Sequence, residues 1–150
     1  MQAKRYAKFV VLLLTLALLL PTIAIAAGDQ KFSMRATPYA PQARGDLIMR
    51  DTEGTVRGVP QKEITVQAAG LHPNSLYTVW LANDKPQPQF SKLGEGDNSF
   101  RSDAKGFGTF TALVPVSDLS NWKSVEVAFQ PTGDLNDVRT RQFALRSNIQ

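Results

Sequence analysis

Apolar and polar residues alternate one for one along much of this chain, and such spacing puts the apolar side chains on one face of an extended strand. Ile64, Val66 and Ala68 alternate with Thr65, Gln67 and Ala69. Phe110, Ala112 and Val114 share a face, as do Val125, Val127 and Phe129. Leu76 to Ala82 is apolar on both sides apart from Thr78, which predicts a central strand. Further strands are expected over Asp46 to Arg50, more weakly near Val56, over Ser99 to Ser102, and over Val138 to Arg146, the last with Phe143 and Leu145 on one face. No stretch beyond residue 26 keeps a helical period. The expected fold class is all-β, a Greek-key antiparallel β-sandwich of about seven or eight strands following an N-terminal signal helix.

Between these runs the chain is punctuated. Asn83 to Asn98 carries Pro86, Pro88, Gly94 and Gly96 and predicts a long loop, because proline denies a ladder its donors. Asp103-Ala104-Lys105-Gly106 has the chemistry of a hairpin turn, closed by the positive φ that glycine supplies. Ser117 to Trp122 predicts one helical turn capped by Ser117, and Pro131 to Asp137 a turn-rich loop.

Residues 1–26 have the make-up of a secretory signal peptide: Lys4, Arg5 and Lys8, then an apolar run from Phe9 to Leu20, the breaker Pro21, and small residues at Ala24 and Ala26. Export places the remainder in the periplasm or extracellular space, with membrane contact only through the leader before cleavage. Residues 27–44 then form a polar lead-in segment or first edge strand, and 45–150 the β-sandwich domain. The net charge of +4 falls to +1 once the leader's three basic residues are removed, leaving 14 basic against 13 acidic residues. Neither that balance nor the scattered Lys and Arg points to a nucleic-acid partner. The chain has no cysteine, which rules out zinc-thiolate, iron–sulfur, thiol-nucleophile and disulfide chemistry. Stability must come from packing.

Leu71-His72-Pro73-Asn74-Ser75-Leu76-Tyr77-Thr78-Val79 resembles the Leu-x-Pro-x-(Ser/Thr)-x-Tyr-x-Val string of fibronectin type III and related immunoglobulin-like domains. The resemblance implies a tyrosine corner, in which the Tyr77 hydroxyl bonds the backbone a few residues upstream. It gives Leu71, Pro73, Tyr77 and Trp80 structural roles. Leu71 to Phe110 is also similar to a stretch of small exported bacterial proteins, a likeness that brings no catalytic residue with it. Copper–zinc superoxide dismutases have a similar Gly-Leu-x-Pro turn followed by histidines, but here Tyr77-Thr78-Val79-Trp80 follows.

His72 is the only histidine, so it is the one available base for a Ser-His-Asp device, and a lone histidine cannot build a multi-histidine metal site. Asp134, Asn136 and Asp137 gather oxygen donors suited to part of a calcium shell, although Asx-rich turns ordinarily cap their own backbone. No cofactor is expected. Phe90 and Leu93 in the long loop, with Trp122, make the candidate binding surface. The expected function is a non-catalytic binding or structural module of the cell envelope or extracellular space, whose partner is a protein, glycan or envelope component. Two alternatives stay open: a calcium-stabilised adhesion or assembly module, and a hydrolase using carboxylates such as Glu63, Glu95 or Asp97.

Overall fold

The alternating runs become strands because each buries one face, and the strands close on one another to keep that face dry. The computed structural model describes residues 28–150. The leader, with its Ala24-Ile25-Ala26 site, lies outside the described residues. Among the described residues there are nine strands: β1 (Gln30–Ala36), β2 (Arg44–Val56), β3 (Val59–Ala69), β4 (Leu76–Asn83), β5 (Gln89–Lys92), β6 (Ser99–Arg101), β7 (Gly108–Pro115), β8 (Ser124–Phe129) and β9 (Gln142–Asn148). The only helix among the described residues is one turn, α1 (Val116–Leu119).

All pairings are antiparallel, in the order β5-β4-β8-β9-β1-β2-β3-β7, with β6 also paired to β4. The sheet curls into a half-barrel, an arrangement compatible with a β-sandwich-like fold. β1 is the hinge of the curl. Its first five residues pair with β2, while Arg35 and Ala36 pair with Arg146 and Leu145 of β9. The segment that reads in sequence as a lead-in piece or edge strand is thus an interior strand with a neighbour on each side. Its sequence hides this because only Met34 is fully buried, with Phe32 packed against the core. The strand count among the described residues is nine rather than seven or eight: β1 and β5 are concealed in polar or proline-rich stretches, and the weak piece near Val56 is the far end of β2 rather than a strand of its own.

Inside the curl lie Leu47 and Met49 of β2, Ile64 and Val66 of β3, Tyr77, Val79 and Leu81 of β4, Val125 and Val127 of β8, and Leu145 of β9. Leu119 of α1 joins them, and its helix starts at Val116 rather than at a Ser117 cap, with Pro115 at the cap position and no side-chain capping bond. The β8–β9 register slips between Val127 and Ala128: Leu145 pairs with Val127, but Phe143 with Ala128, leaving Ala144 as an extra residue. That bulge turns Phe143 to the outer face while Leu145 stays inside, so the two do not share a face as strict alternation predicts. A two-residue turn at Arg57-Gly58, with φ of 53° and 78°, joins β2 to β3; both values are positive, as a type I′ turn requires.

Tyr77 fixes the crossing from β3 to β4. Its ring is buried, and its hydroxyl accepts the backbone N–H of His72 at 2.8 Å. The turn after β6 docks on this corner: Leu71 N–H donates to the Gly106 carbonyl (3.1 Å) and Asn74 N–H to that of Asp103 (3.1 Å). Ser102 Oγ donates to the His72 carbonyl and accepts from Ser75 N–H. Tyr77→Phe is expected to lower stability by about 1 kcal/mol, the net worth of one hydrogen bond. An unchanged denaturation midpoint would show that the hydroxyl contributes nothing.

Candidate functional site

Polar chemistry gathers on the outer face of β4, β8 and β9 and at the open seam where the two ends of the curled sheet approach each other. The residues singled out from sequence are spread over these, the core, the outer face of β2 and β3, and exposed loops.

On the outer face the alternation of β4 and β8 turns Thr78, Trp80, Ser124, Glu126 and Ala128 away from the main core, yet all are buried. Trp80 is covered by the Arg141 guanidinium, 4.5 Å from its ring centre, and Arg141 also lies 4.4 Å from the Phe90 ring and 5.2 Å from Phe143. Phe90 and Phe143 stack at 5.2 Å. Phe90 therefore belongs to β5 and to this cover, not to a free loop. Beside it Arg146 pairs with Asp84, and its Nε sits 3.2 Å from Glu126 Oε1 without hydrogen-bond geometry. Burial pushes the Glu126 carboxyl above the usual range, only partly countered by Arg146.

The protonated form of Glu126 thus suits the folded chain better than the charged form. This contribution is intact below the carboxylate range and lost as pH rises through the elevated folded value. Glu126→Gln is expected to raise the denaturation midpoint at neutral pH, with the gain vanishing below about pH 4. A gain independent of pH would place the effect elsewhere.

The seam is built differently. β4 carries β6 on its first half and β5 on its second, both along the same edge. Asn98 plugs the gap between them: its backbone carbonyl accepts Val79 N–H at 2.8 Å, and its buried side-chain amide donates to the Val79 carbonyl at 2.6 Å. Leu93, which is 1% exposed, anchors the same stretch in the core. It offers no outer surface. Glu95, Gly96 and Asp97 stand up between these two anchors and are exposed.

Two recesses flank that loop. One, of about 560 Å³, runs beside β7 and is lined by Glu95, Asp97, Leu113 and, from the β2–β3 tip, Val56 and Arg57. The other, of about 230 Å³, holds half-buried Trp122 with Lys92, Glu95, Asp118 and Asn121 at its rim. Trp122 and the 94–97 loop are thus brought together, whereas Phe90 and Leu93 are not at this surface. Of the carboxylates weighed for hydrolysis, Glu95 and Asp97 share the larger groove, while Glu63 pairs with Arg50 on the outer face of β2 and β3.

His72 is exposed and rests on the Phe129 ring, 4.8 Å between centres. The Asp134 loop spends its oxygens on itself. Asp134 Oδ1 accepts Asn136 N–H (2.8 Å), and Asp137 accepts from the hydroxyl and backbone of Thr140, which hold its carboxyl below the usual range. Among the described residues no group of three or more His, Asp or Glu side chains is placed to hold a metal ion.

Sequence reasoning missed Glu126, Arg141 and Asn98. A charged residue at the centre of Ser-Val-Glu-Val-Ala-Phe is the available signal for the first. Comparison with models of known families, with curated proteins and with solved structures finds no match.

Proposed function

We propose that this chain is an exported, non-catalytic β-sandwich-like domain, immunoglobulin-like in its tyrosine corner, that serves the cell envelope or extracellular space as a binding module. The observation that carries this reading is the open seam. Side chains from the β2–β3 tip, the 94–97 loop, β7 and the α1–β8 connection converge there and combine exposed apolar residues, an aromatic ring and charges of both signs. Binding surfaces have this make-up: a few apolar anchors with polar groups around them. The leader of residues 1–26 supports export, and the partner is a protein, glycan or envelope component.

The test has two parts. N-terminal sequencing of the accumulated protein should begin near residue 27, and a retained Met1 would overturn the cleavage. Co-sedimentation with isolated membranes, cell-wall sacculi and envelope protein complexes should show retention that falls about tenfold in a Trp122→Ala, Glu95→Lys double variant. A Val138→Lys variant, altered on the exposed loop before β9, should be retained in full. Equal retention of the two variants would remove the seam as the binding surface.

A further inference from the structure

We infer that the open edge of β7 accepts an extended strand from a partner polypeptide, apolar at alternate positions and carrying lysine or arginine. This rests on the reading of the seam as a binding surface and names the chemistry of what binds there.

β7 pairs with β3 on one side, and no strand pairs its other edge among the described residues. Edges of this kind are ordinarily protected by charge, proline, a bulge or shortness. The opposite end of the sheet has such protection, since β5 is only four residues long and ends on Lys92, and β6 has three residues. β7 has eight residues in unbroken register, Gly-Thr-Phe-Thr-Ala-Leu-Val-Pro, with no charge and proline only at its last position. A long uncharged edge persists at the cost of aggregation unless something occupies it.

The groove runs along the edge of β7 and round its end to Val59 and Gln61 of β3. Phe110, Thr111, Ala112 and Leu113 all line it, so residues from both faces of the strand meet it, as they do where a strand edge forms a wall. Phe107, the residue just before β7, and Leu113 within it are about half exposed and continue one alternate row with Thr109 and Thr111 between them. An added strand would lay its own alternate side chains along that row. Among the groove's lining residues Glu95 and Asp97 set two carboxylates against the single guanidinium of Arg57, an excess of one negative charge. A second copy of the chain would bring the same negative excess to the seam, whereas a basic segment complements it.

The experiment follows amide hydrogen exchange by NMR on the processed chain purified from producing cells. The probe is a synthetic peptide of about ten residues, valine alternating with threonine and bearing two lysines, within the usual length of a strand. Exchange at alternate amides of Gly108 to Val114 is expected to slow about tenfold, as a formed ladder protects them. Peptides with glutamate in place of lysine, or with a central proline, should give no protection. A Glu95→Lys, Asp97→Lys variant, altered only at exposed positions, should reverse the preference toward the glutamate peptide. Unchanged β7 exchange with the lysine peptide, equal protection by both charges, or protection that depends only on chain concentration would each overturn the inference. If the chain still sediments with envelope fractions while β7 stays unprotected, the strand inference fails and the binding-module reading stands. Loss of both removes the two together.

Discussion

Gly106→Ala is expected to cost about 3 kcal/mol, enough to shift much of a marginally stable domain toward the unfolded state. Two effects add at this position. Gly106 has φ of 78°, a left-handed conformation that costs an L side chain about 1–2 kcal/mol. A Cβ there would also meet the Leu71 carbonyl oxygen at 2.4 Å and the Leu71 nitrogen at 3.2 Å. Backbone cannot rotate aside as a side chain can, and overpacking of this kind costs about 1–3 kcal/mol. The clash falls on the contact that docks the β6–β7 turn against the tyrosine corner, where Leu71 N–H donates to Gly106. Gly58→Ala separates the two effects, because Gly58 has the same φ of 78° and open space around its Cβ position. Chemical denaturation of both variants should show Gly58→Ala losing about 1 kcal/mol and Gly106→Ala about three times that. Equal losses would mean that the turn does not press on the corner.

The same turn is legible from sequence because each of its key residues acts locally. Asp103 Oδ1 accepts the N–H groups of Lys105 and Phe107, which hold its carboxyl below the usual range, and Gly106 supplies the positive φ. The inward faces of β3, β4, β7 and β8 are legible for a similar reason, since burial on one side imposes a period of two. Features that depend on distant partners are not. β1 reads as polar because Lys31 on its outer side pairs with Asp46 across the ladder. β5 is four residues inside a proline-rich stretch and exists because β4 offers it an edge. The extra Ala144 cannot be seen from alternation, which assumes that no residue is inserted. Leu93 reads as a loop hydrophobe available for binding, but the curl of the sheet takes it into the core. Of the candidate site, Trp122, Glu95 and Asp97 stand out individually in the sequence. Their meeting beside β7 follows from the closure of the half-barrel, which no local pattern encodes.

Thr78→Val is expected to destabilise the fold by about 2–4 kcal/mol, although the two side chains have nearly the same shape. Thr78 is fully buried in the first half of β4, and its Oγ1 accepts from the Trp80 indole N–H at 2.8 Å and from Gln130 Nε2 at 2.8 Å. Valine removes the acceptor and leaves both donors in place. Each stranded buried donor costs about 1–3 kcal/mol, since water cannot reach it. The Gln130 Oε1 atom already lacks a partner, so rotating that amide only exchanges one unsatisfied group for another. Thr78→Ser keeps the hydroxyl and loses one methyl, for a cost of about 1 kcal/mol. Denaturation of the two variants should therefore rank serine well above valine. The reverse order would mean that the outer face is held by apolar packing alone. The expected order instead makes the face a polar, hydrogen-bonded second layer, in which Thr78 fixes the Trp80 ring on which Arg141 and the loop leading into β9 are seated. That layer covers the outer face of β4 and β8, whereas the seam beside β7 stays open.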